Sequence, residues 1–258
     1  MPVILPPNSL KRALAENKPQ FGFWLTTGSA TATEIAASSG FDWLLIDMEH
    51  SVNELPDVVD HLRAAVGGTA EPVVRIPWNE SVTVKRMLDA GVRSIMFPYV
   101  QTPEEARAAV AATRYPPHGV RGFAGGARAT RYGRVPDYFT RYAEDICVIV
   151  QIESMAAVEA STAIAAVEGV DCVFIGPNDL AANMGFLANS AAPEVRLVMQ
   201  HGLENIRKGG KAAGALEYRE DEALKLQKDG FAMIAVGGDA GMLARGADRL
   251  AKVFKPGL

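Results

Sequence analysis

The feature that most constrains the fold of this chain is a repeated alternation of short apolar runs with helical patterns. The runs are rich in Val, Ile and Phe and are nearly continuous in apolar character. Such runs are typical of parallel strands that are covered on both faces. They lie at 21–26, 42–49, 72–76, 93–100, 145–153, 171–176, 212–218 and 231–238, with amphipathic helical patterns between them. Eight repeats of this kind predict an α/β fold, a (β/α)8 barrel.

Several residues between the runs are predicted to begin or end helices. Thr102, which precedes Pro103, and Ser154 are predicted N-terminal caps, because a hydroxyl oxygen there accepts a hydrogen bond from the first helical turn. Glycine readily adopts the left-handed conformation in which many helices end. Four glycines that precede an apolar run are therefore predicted helix ends: Gly40, Gly91, Gly169 and Gly230.

The length of the chain, 258 residues, fits either one barrel of about 250 residues or two domains of about 130. No linker of shifted composition divides the sequence, so we expect a single barrel domain over 1–258 with an extra helix near its N-terminus. A doubly wound open sheet is the main alternative. It usually has fewer strands and a glycine-rich first turn, and neither dinucleotide-type nor phosphate-loop glycine motifs occur here.

Charge and hydropathy exclude several classes of protein. With 26 Lys and Arg against 30 Asp and Glu, the net charge is −4, which argues against a nucleic-acid-binding protein. No apolar run reaches the roughly 20 residues that a membrane span requires. The first residues lack a basic segment and contain Pro6 and Pro7, so we expect no signal peptide and a cytoplasmic location. Cys147 and Cys172 lie inside apolar runs, which favours buried small side chains over a disulfide.

Polar side chains stand at the ends of several predicted strands. The active site of a (β/α)8 barrel lies at the C-terminal ends of its strands, so these side chains would share one mouth. Each would cost free energy if it were buried without a partner, which favours a functional role over a place in the core. They are Asp47, Glu49 and His50 at the end of the second run, Arg75 in the third, Gln151 and Glu153 in the fifth, and Gly176, Pro177, Asn178 and Asp179 at the end of the sixth.

Glu153 and Asp179 follow adjacent strands and are predicted to bind a metal ion. Two carboxylates that lie close together repel each other unless a cation or a proton lies between them. Oxygen ligands suit Mg²⁺ or Mn²⁺, whereas no second His or Cys is placed to complete a zinc site. The alternative is that the two residues only begin helices.

His50 and Arg75 are predicted to act on the substrate. A carboxylate such as Asp47 that accepts from one imidazole nitrogen would raise the basicity of the other, which suits His50 to acid–base chemistry. Arg75 would place a permanent, forked cation against an anionic substrate. The alternatives are a structural histidine and a structural salt bridge. A glycine-rich basic segment, 115–134, is predicted either to cover the mouth or to form a solvated surface.

The chain resembles the HpcH/HpaI aldolases, the class II pyruvate aldolases. The most specific segments are FDWLLIDMEHS at 41–51, PVVRIPWNE at 72–80, PPHGVRGF at 116–123, QIES at 151–154 and FIGPNDL at 174–180. The resemblance implies a (β/α)8 barrel that uses a divalent cation, Mg²⁺ or Mn²⁺ first and Co²⁺ or Zn²⁺ as alternatives. It also implies a homohexamer built as a trimer of dimers.

The resemblance further implies an activity: reversible aldol cleavage of a 4-hydroxy-2-oxo acid to pyruvate, or a similar 2-oxo acid, and an aldehyde. It assigns metal binding to Glu153 and Asp179, enolate stabilisation to Arg75, and acid–base catalysis to His50 with Asp47. Gln151 and the backbone of Gly176, Pro177, Asn178 and Asp179 would contact the bound 2-oxo acid, and Leu216 its aldehyde side. Asp89 would act near the histidine of a neighbouring subunit.

Three alternatives to a metal-dependent pyruvate aldolase remain open. A Schiff-base aldolase needs a lysine at the C-terminal end of a strand, but Lys211 precedes the seventh run and Lys85 lies in a helical pattern. A citrate lyase β-type enzyme acting on acyl-CoA esters would share the metal-binding carboxylates. A barrel that binds 2-oxo acids without catalysis is the non-enzymatic alternative.

Overall fold

Eight parallel strands pair in sequence order and close into a barrel in the computed structural model, which describes residues 4–255. The strands are β1 Gln20–Leu25, β2 Trp43–Asp47, β3 Glu71–Arg75, β4 Ser94–Phe97, β5 Cys147–Ile152, β6 Cys172–Ile175, β7 Ala212–Leu216 and β8 Met233–Gly238. The predicted α/β barrel is therefore confirmed, and a strand lies within or overlaps each predicted run.

Helices surround the barrel and follow each strand. They are α1 Ser9–Ala15, α2 Ala30–Ala37, α3 Leu55–Ala64, α4 Ser81–Asp89, α5 Pro103–Ala112, α6 Tyr138–Asp145, α7 Met155–Ala165, α8 Pro177–Asn183, α9 Pro193–Lys208, α10 Glu220–Asp229 and α11 Asp239–Phe254. Three of them, α1, α6 and α9, precede strands without directly following one, and α1 is the predicted extra N-terminal helix. Within 4–255, no helix combines the length and the apolar character that a membrane crossing needs.

The predicted N-terminal caps are confirmed; Gly230 caps α10, Gly91 follows the cap of α4, and Gly40 and Gly169 lie two and three residues past the caps of α2 and α7. The hydroxyl of Thr102 accepts from the Glu105 amide at the start of α5, and that of Ser154 accepts from the Ala157 amide at the start of α7. The glycines that were predicted to end helices adopt φ values of +91° to +104°: Gly40, Gly91, Gly169 and Gly230. These residues let the chain turn back toward the barrel at the end of each helix.

Apolar side chains fill both sides of the strands. One cluster lies inside the barrel and includes Trp43, Phe174 and Met233, and the other lies between the strands and the helices. Cys147 and Cys172 are buried in the inner cluster as free cysteines, so the prediction of small apolar side chains is confirmed. Helix α1 closes the amino-terminal end of the barrel, since Leu10 and Leu14 join the same inner cluster.

The strand register determines which polar residues meet at the other end of the barrel. Asp47 and Arg75 are register partners at the ends of β2 and β3. Ile152 and Ile175 are partners at the ends of β5 and β6, so Glu153 emerges beside Gly176. The C-terminal ends of these strands therefore bring the predicted site residues to one mouth.

Candidate active site

A cavity of about 170 Å³ opens at the C-terminal ends of the strands. Most of the side chains that the sequence places in the site line it, as do two that it does not place there. The lining residues are Trp24, His50, Arg75, Gln151, Gly176, Pro177, Asn178, Asp179, Leu216 and Tyr218. A cavity of this size holds roughly six water volumes, which suits a small organic acid.

Arg75 is buried at the floor of the mouth and is held by Asp47, Trp24 and Glu49, whose Oε2 lies 2.9 Å from Arg75 Nη1. Asp47 accepts two hydrogen bonds from it, 2.9 Å from Nε to Oδ1 and 2.6 Å from Nη2 to Oδ2. The guanidinium carbon lies 5.1 Å from the centre of the Trp24 ring, and the indole N–H of Trp24 donates to Asp47 Oδ2 at 3.1 Å. The forked cation is therefore fixed in direction before any substrate binds.

The opposite charges of Asp47 and Arg75 stabilise each other, although both side chains are buried. Burial alone would raise the pKa of Asp47, but hydrogen bonds and charge from Arg75 outweigh it and lower that pKa. Burial alone would lower the pKa of Arg75, but Asp47 outweighs it and raises that pKa. Both side chains are therefore ionised at neutral pH.

His50 lies at the rim of the mouth and is largely exposed. Its main-chain N–H is 3.4 Å from Asp47 Oδ1, whereas its ring Nε2 lies 3.8 Å from Glu49 Oε2. The expected hydrogen bond from the imidazole of His50 to Asp47 is not formed, because the carboxylate accepts from Arg75, its register partner. Asp47 thus fixes the backbone of the histidine rather than its ring.

A buried hydrogen-bond network holds the loop that carries Glu49 and His50. Asn53 donates from its side-chain amide to the carbonyls of Asp47 at 2.8 Å and Leu25 at 3.2 Å. His61 Nε2 lies 2.9 Å from Asn53 Oδ1, and its Nδ1 lies 2.5 Å from Thr33 Oγ1. Helix α3 therefore anchors the loop through His61.

Glu153 and Asp179 form the other half of the mouth. Burial raises the pKa of Glu153 to about 8, and the nearby charges of Asp179 and Glu49 add to that effect. The buried Oε1 atom of Glu153 has no hydrogen-bond partner among the described residues, and neither has Oε1 of Gln151. Arg75 is hydrogen-bonded to Asp47, so its charge only partly offsets the burial of Glu153.

This donor set fits a hard divalent cation. Glu153 and Asp179 supply the carboxylate oxygens that Mg²⁺ and Mn²⁺ prefer, and the other coordination positions would be left to water and substrate. Within 4–255, no group of three or more His, Cys, Asp and Glu side chains is placed to enclose a metal ion. Two protein ligands describe an open site, as catalysis requires, rather than a structural one.

Gly176 allows the two sides of this site to approach. A Cβ at this position would lie 2.8 Å from Gln151 Nε2 and 2.8 Å from Glu153 Cγ. Gly176 is the N-cap of α8, which has no side-chain cap, so the amides of Asn178 and Asp179 stay free to donate, whereas Pro177 has no N–H. The backbone at Gly176–Asp179 therefore faces the cavity with both space and donors.

Asp89 is the one predicted site residue that the barrel does not bring to its own mouth. It ends α4, at the amino-terminal end of the strands, where its carboxylate pairs with Arg121 at 2.9 Å. The basic segment 115–134 also lies at that end, since Arg128 donates to the Ala90 carbonyl at 2.9 Å. This segment does not cover the mouth of its own barrel.

Sequence reasoning missed Trp24 and Tyr218. Trp24 is one residue before the end of β1, within an aromatic run that gives no sign of a polar contact. Tyr218 lies two residues beyond β7. The period-2 alternation along β7 would have placed it on the same face as Leu216, which the sequence does assign to the mouth.

Comparisons with known proteins are consistent with this geometry. A family model described as HpcH/HpaI aldolase/citrate lyase matches residues 20–246. A protein of Salmonella arizonae named 5-keto-4-deoxy-D-glucarate aldolase is 45% identical over 249 residues, which cover 96% of this chain and 97% of that one.

Solved structures of similar fold support the same relationship. An HpcH/HpaI aldolase/citrate lyase family protein from Burkholderia cenocepacia J2315 has a TM-score of 0.92 and 40% identity, covering 96% of this chain and 99% of that one. The citrate synthase SbnG has a TM-score of 0.85 and 28% identity, covering 96% and 98%.

Proposed function

The chain belongs to the HpcH/HpaI aldolase/citrate lyase family and is a class II aldolase, and from this premise we propose that it cleaves 4-hydroxy-2-oxo acids reversibly to pyruvate and an aldehyde. The observation that carries this proposal is the buried, unpartnered carboxylate oxygen of Glu153 beside Asp179, at a cavity that Asp179 and the fixed guanidinium of Arg75 line. A 2-oxo acid offers a carboxylate and a ketone oxygen at the spacing such a site can bind.

Arg75 is assigned to the ketone oxygen of the substrate. Asp47 and Trp24 hold its guanidinium before the reaction, so it needs no rearrangement when negative charge develops on that oxygen. The free amides at the start of α8 and the Gln151 side chain are assigned to the carboxylate end. When bound at Glu153 and Asp179, a divalent cation would supply Lewis-acid polarisation of the 2-oxo acid.

His50 is assigned to proton transfer at C4. In cleavage it accepts the proton of the C4 hydroxyl, the C3–C4 bond breaks, and the aldehyde carbonyl forms. The electron pair of the broken bond moves toward the C2 oxygen, beside Arg75, and protonation of C3 from solvent gives pyruvate. In the synthetic direction the same histidine returns the proton to the new alkoxide.

The test is release of pyruvate from a 4-hydroxy-2-oxo acid, followed with lactate dehydrogenase and NADH. Protein treated with EDTA should be inactive, and Mg²⁺ or Mn²⁺ should restore activity. Arg75→Ala should lower kcat/KM by at least 100-fold, while Arg107→Ala, which alters an exposed pair with Glu104, should have no effect. Full activity after EDTA treatment would contradict the proposal, as would turnover of acyl-CoA esters only.

We also propose that the enzyme is a homo-oligomer, a hexamer built as a trimer of dimers. Helix α11 supports the proposal of a partner subunit. None of its 16 residues is buried, although the helix carries several large apolar side chains. Those that are exposed are Met242, Leu243, Leu250, Val253 and Phe254. The position of Asp89 away from its own mouth agrees with its assignment to a neighbouring subunit. Light scattering coupled to size exclusion should give six chains, and a monomer would contradict the proposal.

A further inference from the structure

The side-chain amide of Asn53 joins the ends of two strands. The register between β1 and β2 extends only as far as the pair of Leu25 and Ile46. Next to that pair, the buried Nδ2 of Asn53 donates to the carbonyls of Leu25 at 3.2 Å and Asp47 at 2.8 Å. Ser51 supports the same turn, since its hydroxyl also donates to the Asp47 carbonyl. The amide of Asn53 therefore takes the place of a further hydrogen-bonded pair between the two strands.

The two carbonyls belong to the segments that hold Arg75. Leu25 directly follows Trp24, whose ring lies against the guanidinium and whose indole N–H donates to Asp47. Asp47 in turn accepts two hydrogen bonds from Arg75. A shift of the Asn53 amide would therefore change the separation of Trp24 and Asp47, and with it the direction of the guanidinium.

The hydrogen bonds of Asn53 allow only one orientation of its amide. Main-chain carbonyls can only accept, so Nδ2 faces those of Leu25 and Asp47, and Oδ1 faces His61. His61 Nε2 lies 2.9 Å from this Oδ1 and must therefore carry a proton. On the other side of the ring, Nδ1 lies 2.5 Å from Thr33 Oγ1, whose hydroxyl donates to it when the imidazole is neutral.

Burial keeps the imidazole of His61 neutral. His61 and Thr33 are both buried, and burial lowers the pKa of the histidine. The carboxylates of Asp57 and Asp60 on α3, and of Asp239 at the start of α11, oppose this change but are outweighed by burial. A neutral ring that donates from Nε2 accepts at Nδ1. One directed chain of hydrogen bonds therefore runs from Thr33 on α2 to the ends of β1 and β2.

We propose that Asn53 is a positioning residue for Arg75, and that His61 fixes the orientation in which the Asn53 amide performs this role. Asn53 acts through main-chain carbonyls rather than through contact with the substrate. Because Arg75 is assigned to the charge that develops on the C2 oxygen, a disturbance of Asn53 slows formation of the enolate. The inference rests on the proposed aldolase function, which it deepens by naming the residues that keep Arg75 in place.

Two substitutions at one buried position test the orientation of the amide. His61→Gln keeps the chain of hydrogen bonds, because its amide nitrogen donates to Asn53 and its amide oxygen accepts from Thr33. His61→Leu is of similar size and removes both contacts. At saturating pyruvate, exchange of the methyl protons in D2O by Mg²⁺-loaded enzyme should stay within about twofold of the wild-type rate in His61→Gln and fall by about tenfold in His61→Leu, because a small misplacement of a catalytic group is costly. Equal rates in the two variants would overturn the role of His61.

A double-mutant cycle tests whether Asn53 acts through Arg75. Asn53→Ala should lower the exchange rate by about tenfold in the wild-type background and by less than about threefold in Arg75→Lys, which lacks the forked guanidinium, since residues that act together are not additive. A residue that only stabilised the fold would lower the rate equally in both backgrounds. That result would overturn the assignment of Asn53 as a positioning residue.

The matched control is a second buried asparagine, away from the mouth. Asn205 on α9 donates to the Val158 carbonyl on α7 at 3.3 Å, and its Nδ2 lies 3.1 Å from His201 Nε2. Asn205→Ala removes the same kind of amide from beside a histidine and should leave the exchange rate unchanged. A loss as large as that of Asn53→Ala would overturn the inference, because it would show that exchange responds to any buried amide.

The tautomer of His61 provides a test that does not depend on activity. Two-bond ¹H–¹⁵N correlations at neutral pH should show a neutral ring that is protonated at Nε2, and a ring protonated at Nδ1 would overturn the proposed orientation. Absence of exchange in the wild-type enzyme would overturn the aldolase function itself. Normal exchange in the wild type, in His61→Leu and in Asn53→Ala would overturn this inference alone.

Discussion

Glu153→Gln should make the metal-free protein more stable while it abolishes turnover. The pKa of Glu153 rises from 4.5 to about 8 on folding, chiefly because the carboxyl is buried and faces Asp179. A group whose pKa is raised on folding contributes its full stability below its unfolded pKa and loses that contribution as the pH rises through its folded pKa. The penalty is about 3 kcal/mol at pH 7 and about 5 kcal/mol at pH 8.5, at 1.36 kcal/mol for each pKa unit. Glutamine keeps the shape without the charge and avoids this penalty.

The assay is urea unfolding of EDTA-treated protein at pH 4.5, 7 and 8.5, at one protein concentration. The free energy of unfolding of Glu153→Gln should match that of the wild type at pH 4.5 and exceed it increasingly at higher pH. Addition of Mn²⁺ at 100 times its dissociation constant should stabilise the wild type by about 2.7 kcal/mol and leave the variant unchanged. Glu168→Gln, at an exposed position, is the matched control. Equal stability of Glu153→Gln and the wild type at pH 8.5 would refute the argument that burial beside Asp179 makes the ionised Glu153 carboxylate costly.

Three further perturbations test other parts of the account. His50→Ala should reduce aldol cleavage by 100-fold or more but retain most of the pyruvate proton exchange measured by NMR, and equal loss of both would disprove its assignment to C4. Gly176→Ala should weaken Mn²⁺ binding, measured by calorimetry, by at least tenfold, since the added Cβ lies 2.8 Å from Glu153 Cγ. Wild-type affinity for Mn²⁺ in this variant would contradict the argument that the added Cβ displaces Glu153. Burial lowers the pKa of His61 below 6.5, so stability should fall as the pH drops below 6.5 toward that lowered pKa. His61→Gln keeps a donor and an acceptor, and its thermal midpoint should fall less over this pH range than that of the wild type. Equal decreases in the two thermal midpoints would contradict the role assigned to the burial of His61.

The barrel and the composition of its mouth could be predicted because both follow from patterns along the chain. Continuous apolar runs indicate parallel strands, and their number and order determine which strand ends are neighbours. Glu153 and Asp179 were paired on that basis alone, since β5 and β6 are consecutive. The caps at Thr102 and Ser154 could likewise be predicted, because a cap depends on residues within one helical turn.

The choice of partners inside the mouth could not be predicted, because it depends on competition in three dimensions. Asp47 was expected to orient the His50 ring, yet Arg75 is its register partner and a permanent cation, so the carboxylate binds Arg75 twice. Trp24, on β1, completes that cluster, and its contact with Asp47 depends on how β1 lies beside β2 in the barrel. The positions of Asp89 and of segment 115–134 follow from helix direction, since both lie where the chain returns to the amino-terminal end of the strands.

The most direct test of the central claim is exchange of the methyl protons of pyruvate in D2O, followed by NMR with no aldehyde present. The account holds that Glu153 and Asp179 bind a divalent cation that activates the 2-oxo acid beside Arg75. Enzyme reloaded with Mg²⁺ should therefore catalyse exchange, and EDTA-treated enzyme, Glu153→Gln and Arg75→Ala should each lose it. Exchange that persists undiminished in the chelated enzyme would contradict the account.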